Sequence, residues 1–366
     1  MKNIVYAFFL TLLFLLGCNN TEKGNLSILP NALKSTENRV FDSYFNYVEN
    51  ISSADIPLNK CIQRNKLCED LDFIKKVVDN PDLLYFPATL WQLNILRRKK
   101  GWEQQVPDFT KEIQKAFSNN IIINGEHIQS IFLSAYEYNP TMELLDVIVN
   151  GLSNHISRIE RDKINIDKEV ATINNLDLLM ENKIMFFATK KTGDPVFQNF
   201  AIENTSFFYE EAFKNDLRIM SVMSNGISEG NLKLLRTEDF YKMALGIRGF
   251  YELYKETGIE DYLKLCEDIA MVFNSIFNSS EVDIKIVDNI NLLSQSLVIL
   301  ALYDLSKSLD NSFLETSEEI YQNVLMKLES LYPDIEVLNS EDGMPNESFR
   351  LFYYLLEYEI RKQNES

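Results

Sequence analysis

The sequence predicts an all-α protein of stacked helical hairpins, and three observations carry that reading. Apolar residues recur at spacings of three and four. Glycine (12) and proline (9) are scarce in 366 residues, too few for a strand-and-turn architecture. A short phrase that stops one helix and starts the next returns along the chain. Apolar residues make up 46% of the chain, ample for a buried core, and 24 phenylalanines with 17 tyrosines make that core aromatic-rich. Length alone does not choose between one large domain and two ordinary ones.

Taken in order, the chain opens with Met1-Lys2-Asn3 and an apolar run from Ile4 to Gly17. That run is too short to span a bilayer but suits the apolar region of a secretory signal. It ends in Leu15-Leu16-Gly17-Cys18, a lipobox, in which the cysteine thiol takes a diacylglyceryl group and cleavage leaves the cysteine first. The sequence therefore predicts a signal peptide over residues 1–17, a lipidated Cys18 with a polar tether over 18–35, and one helical domain over 36–366. The expected setting is a bacterial cell envelope, anchored to the outer membrane or the periplasmic face. An ordinary secretory signal with a coincidental cysteine is the plainer alternative.

Within the domain, Met180, Ile184 and Phe187 share one helical face, as do Ala244, Ile247, Tyr251 and Tyr254. Leu292 to Leu305 is apolar on more than one face, which predicts a helix surrounded by others. The punctuating phrase reads Thr192-Gly193-Asp194-Pro195 and again Thr257-Gly258-Ile259-Glu260-Asp261. Weaker copies are Lys99-Lys100-Gly101-Trp102, Tyr138-Asn139-Pro140-Thr141 and Leu309-Asp310-Asn311-Ser312. A spacing of roughly 40–65 residues between turns, with a C-terminal helical stretch from about Ser348, implies roughly a dozen helices. Hairpins stacked in this way form an open solenoid or a closed toroid.

Composition also excludes some functions. A net charge of −18 argues against nucleic-acid binding and makes recognition of any polyanion depend on local cations. Two histidines and no Cys/His cluster at ligand spacing argue against a zinc site. Cys61 and Cys68 could pair in an oxidising envelope, which leaves Cys266, in an apolar helical stretch, as a buried small residue.

Several segments resemble unsaturated glucuronyl hydrolases. Asn175-Leu176-Asp177-Leu178-Leu179-Met180, followed by Phe186-Phe187-Ala188-Thr189-Lys190-Lys191-Thr192-Gly193-Asp194, is similar to that family's Ile-Ile-Asp-x-Met-Met-Asn helix and Phe-Trp-Ala-Ser-Lys-x-Thr-Gly-Asp segment. Phe86-Pro87-Ala88-Thr89-Leu90-Trp91, Gly249-Phe250 with Tyr254-Lys255-Glu256-Thr257-Gly258, and Tyr353-Tyr354-Leu355-Leu356-Glu357 resemble further family segments in the same order. The resemblance implies an (α/α)6 toroid, the six-hairpin glycosidase fold. It also implies hydration of the C4=C5 double bond of a terminal unsaturated uronic acid on an oligosaccharide left by a polysaccharide lyase. An aspartic acid protonates the alkene, and no metal or organic cofactor is needed.

Carried onto this chain, the resemblance makes Asp177 the catalytic candidate and His127 a substrate-binding one. Asp177 can also be read as a first-turn aspartate that complements its helix dipole. Other segments depart from the family. Its His-Asp-x-Gly-Phe reads His127-Ile128-Gln129-Ser130-Ile131 here, so the second carboxylate is absent. The positions of its Trp-x-Arg-Gly-Gln-x-Trp hold Tyr241, Lys242, Met243 and Leu245, and a family histidine is Asn204. Trp91, Phe187 and Phe250 are expected in the core, and Arg97 to Lys100 on a solvated helix end. Two functions stay open: a hydrolase with an altered pocket, in which Glu126, Glu181 or Glu238 supplies the second carboxylate, or a non-catalytic binder of a glycan or partner protein on the same scaffold.

Overall fold

The computed structural model describes residues 84–97, 106–107, 110–111, 113–114, 124–163, 176–225, 232, 235–278, 290–309, 311–331 and 347–364. The expected signal, tether and lipidated Cys18, together with Cys61 and Cys68, lie outside the described residues. Every regular element among the described residues is helical.

The chain runs through α1 (Tyr85–Arg97) to α2 (Gly125–His127). The latter continues through a π-helical stretch (Ile128–Leu133) into α3 (Ser134–Tyr138). After α4 (Met142–Lys163), a 3-10 segment (Leu176–Glu181) leads directly into α5 (Asn182–Thr192). Then come α6 (Val196–Phe208) with a π turn (Tyr209–Lys214), α7 (Leu217–Asn225), α8 (Thr237–Thr257) and α9 (Glu260–Asn278). The remaining elements are α10 (Leu292–Ser306), α11 (Asn311–Leu331) and α12 (Glu347–Gln363).

The two strong turn phrases behave as the sequence predicts. Gly193 (φ 76°) and Gly258 (φ 70°) end α5 and α8 in the left-handed conformation. Their N–H groups donate to the Thr189 and Tyr254 carbonyls at 2.8 and 2.7 Å. Asp194 then accepts from the Val196 N–H at 3.0 Å and opens α6. The weaker Tyr138–Thr141 copy works differently: Asn139 keeps a negative φ, and the Thr141 hydroxyl accepts from the Leu144 N–H instead.

The contacts between elements close a ring. The inner wall passes from α1 to the α2–α3 segment, to the 3-10 segment with α5, and on to α8, α10 and α12, and α12 packs back against α1. Helices α4, α6, α9 and α11 form the outer layer, each against its inner neighbours. An open solenoid would leave α1 and α12 apart, so the architecture is the toroid. The helix predicted to be surrounded, α10, is buried from Ser294 to Tyr303.

Polar ties fix the inner wall. The Asn182 amide, 1% exposed, donates to both the Gly249 carbonyl and the Thr205 hydroxyl at 2.9 Å, joining α5, α6 and α8. Gly249 lets α8 press on the 3-10 segment: a Cβ there would sit 2.6 Å from the Leu179 Cβ. Trp91 and Phe250 are core residues, as expected, and Phe187 is partly buried against it. Cys266 is fully buried with its thiol toward the Ile247 carbonyl, and burial pushes the thiol well above its usual range.

Candidate functional site

The first turns of the inner segments converge at one mouth of the ring. Asp177 is the second residue of the 3-10 segment, and its Oδ1 accepts from the Tyr241 hydroxyl at 2.9 Å. The same oxygen accepts from Arg350 Nη2 at 3.3 Å. Tyr241 lies in the first turns of α8 and Arg350 in the first turn of α12. Three segments far apart in sequence therefore meet on one carboxylate.

Arg350 also reaches a second carboxylate. Its Nη2 donates to Glu126 Oε2 at 3.0 Å, and its Nε donates to the Tyr354 hydroxyl at 3.1 Å. Tyr354 in turn donates to Glu126 Oε1 at 2.5 Å. Around the guanidinium stand the rings of Tyr85, Tyr241 and Tyr354, with centroids 5.3, 5.6 and 5.9 Å away. One cation thus serves two carboxylates inside an aromatic cage.

Protonation in the cage follows from its neighbours. Burial raises the phenols of Tyr241 and Tyr354 well above their usual range; Arg350 opposes the shift and the nearby carboxylates add to it. Both tyrosines are therefore O–H donors at any ordinary pH. Burial favours the neutral form of Arg350, but Glu126 and the surrounding phenols outweigh it and hold the guanidinium charged.

The two carboxylates differ in access. The Glu126 side chain is 4% exposed, whereas that of Asp177 is 45% exposed. Glu126 is thus a buried anchor with both oxygens engaged, while Asp177 keeps an open side toward the mouth. The burial that the implied chemistry asks of Asp177 falls on Glu126 instead.

His127, the residue after Glu126, is buried rather than a surface histidine, and its ring meets Tyr85 edge-on at 5.2 Å. Ile128 faces the other way. It is buried, and a Cβ on Gly151 of α4 would meet its Cδ1 at 3.0 Å, so it packs toward the outer layer. Of the other two carboxylates considered, neither joins Asp177. Glu238 is exposed and pairs with Arg236 at 3.2 Å. Glu181 is buried, accepting from the Gly125 N–H and facing His155 Nε2, both at 2.8 Å. Arg158 Nη2 lies 2.9 Å from His155 Nδ1 on the other side of the ring. That chain holds the start of α2, one residue ahead of Glu126.

Among the positions where the sequence departs from the family, Met243 and Leu245 are core and Asn204 bonds back to the Phe200 carbonyl of its own helix. Lys242 pairs with Asp216 at 2.7 Å. Only Tyr241 enters the site. Arg350 was not singled out by the sequence, although it lies one helical turn before Tyr354, inside the C-terminal helical stretch expected from about Ser348.

No protein-family model matches the sequence, and no curated protein is similar to it by sequence. Solved structures are similar. Unsaturated glucuronyl hydrolase from Streptococcus agalactiae matches over 95% of this chain and 96% of that one, with a TM-score of 0.51 and 13% identity. A mutant of that enzyme matches over 77% and 79%, with a TM-score of 0.52 and 13% identity. The fold is accordingly the all-α six-hairpin glycosidase fold, the (α/α)6 toroid.

Proposed function

We propose that this chain is a divergent relative of unsaturated glucuronyl hydrolases, a lipid-anchored envelope glycosidase acting on oligosaccharides that end in an unsaturated uronic acid. The observation that carries the reading is the pair of carboxylates, Asp177 and Glu126, held by one guanidinium at the mouth of the ring. Glu126 stands in for the carboxylate missing at Ile128. Two residues apart on a helix lie about 200° apart in rotation, so Glu126 can face the lumen while Ile128 packs outward.

In this mechanism the substrate uronate takes over the pairing with Arg350, and Asp177, carrying a proton in that complex, delivers it to C4 of the alkene as the π electrons form the new C–H bond. Water adds at C5, and the proton it loses returns to the carboxylate. The resulting hemiketal opens and releases the next sugar. Arg350 supplies the local cation that a strongly acidic protein needs to draw in a uronate, and it does so at the reacting carboxyl. Cys18 would hold the enzyme at the membrane.

The test is the loss of the double bond's ultraviolet absorbance with a panel of lyase-generated unsaturated disaccharides. The wild-type protein removes it, and Asp177→Asn slows that loss by at least about a hundredfold. Glycan binding with unchanged absorbance across the panel would replace this reading with the non-catalytic one, which the apolar Ile128 favours. The anchor is checked separately, by metabolic labelling with a palmitate analogue that Cys18→Ser abolishes.

A further inference from the structure

Glu181 closes the 3-10 segment in which Asp177 stands near the start, but its side chain turns away from the candidate site. It is 1% exposed and takes no part in the proposed reaction. Its Oε1 accepts from the Gly125 N–H and its Oε2 faces His155 Nε2 of α4, both at 2.8 Å. His155 is buried too, so α2, the 3-10 segment and α4 meet on a single carboxylate.

The approach to Gly125 is close. A Cβ at that position would lie 2.7 Å from both the Cδ and the Oε2 of Glu181. Glycine is what lets the carboxylate come so near the backbone. The Asn124 side chain holds the same turn from the other end, accepting from the His127 N–H at 2.9 Å.

This clamp sets the rotation of α2. Helical residues advance about 100° each, so with Gly125 turned toward Glu181, Glu126 is carried about 100° away from that side. Ile128, three residues on, comes round to within about 60° of Gly125. The packing agrees with both directions. Ile128 lies against Gly151 of α4, while Glu126 reaches Arg350 and Tyr354 inside the ring.

We propose that Glu181 is a positioning residue for the second carboxylate of the site. By holding the Gly125 N–H it fixes the phase of α2 that puts Glu126, not Ile128, into the ring. Because it belongs to the Asp177 segment, it also fixes how far apart the two carboxylates stand. The role rests on reading Glu126 as the partner of Asp177. A buried histidine–glutamate pair that only staples α4 to the inner wall would contribute stability and leave that spacing alone.

The test compares three variants of the full-length protein. Glu181→Gln keeps an oxygen for the Gly125 N–H, and Glu181→Leu has none. Gly125→Ala displaces the carboxylate without removing its charge, and makes the same comparison should Glu181→Leu fail to fold. In the absorbance assay, Glu181→Leu and Gly125→Ala should lower kcat about a hundredfold, far more than they change KM, as an ångström-scale misplacement would. Glu181→Gln should recover kcat to within about threefold of wild type. Crystal structures supply a readout that needs no turnover: the Glu126–Arg350 pair is kept in Glu181→Gln and lost in the other two. Equal losses of kcat in Glu181→Gln and Glu181→Leu that follow their melting temperatures, or an intact Glu126–Arg350 pair in Glu181→Leu or Gly125→Ala, would overturn the proposal. If the wild-type protein leaves the double bond untouched, the structures still decide. A pair lost only where the clamp is broken upholds the positioning role while the proposed activity falls.

Discussion

Arg350 decides the electrostatics of the candidate site. It is one positive charge against two carboxylates, with its side chain only 14% exposed. Arg350→Gln would leave Glu126 buried without its counter-charge, at a cost of about 3 kcal/mol of stability, read as a shift of the urea midpoint. Arg350→Lys keeps the charge but cannot donate from two nitrogens in one plane, so it should recover stability better than activity. Asp177 was legible in the sequence because a long phrase surrounds it, whereas Glu126 was one of three carboxylates that the sequence left open beside Glu181 and Glu238. Arg350 was not legible: nothing local separates it from the other basic residues, and only the fold brings it to Glu126, 224 positions away in sequence.

Between elements, the two kinds of glycine make opposite demands. Gly249 sits inside α8, where alanine would ordinarily be favoured by about 1 kcal/mol. Here the added methyl would meet both the Leu179 side chain and its carbonyl oxygen, at 2.6 and 3.0 Å. Gly249→Ala should therefore destabilise by about 2 kcal/mol through overpacking. Gly193 has open space around it and a positive φ, so Gly193→Ala should cost about 1 kcal/mol from backbone strain alone. Thermal melts of the two variants would separate crowding from conformation. Apolar spacing and turn phrases located these helices well. They did not reveal the 3-10 start at Leu176 or the π stretch at Ile128, because a change of hydrogen-bond register leaves little trace in a hydrophobic pattern. Nor could motif counting tell which of Glu126 and Ile128 faces the lumen, since that depends on helix phase.

For the whole molecule, periodicity left ring and solenoid equally open, and the contact of α12 with α1 decides between them. Charges at the opposite mouth also tie α12 to α8, where Glu357 meets Arg248 as well as Arg361 of its own helix. Burial alone would raise the Glu357 carboxyl, but Arg361 and Arg248 prevail and hold it at about 2. A carboxyl lowered on folding stabilises the protein above its unfolded value, about 4.3, and that contribution fades as pH falls toward 2. Urea melts across this window should show stability falling from about pH 4 downward. Glu357→Gln should be less stable at neutral pH and should flatten the acid limb.

The helix that seals the seam is also the one that brings the cation, and this sets an order of events during biosynthesis. A nascent chain can have Glu126 and Asp177 folded into their segments while residues 347–363 are still threading through a ribosome or a translocation channel. The docking of α12 brings Arg350 together with Tyr354, the third wall of its aromatic cage, so completing the wheel and arming its carboxylates are a single step. A frameshift shortly before residue 347 would therefore spare both acidic groups yet leave the mouth uncharged by any guanidinium.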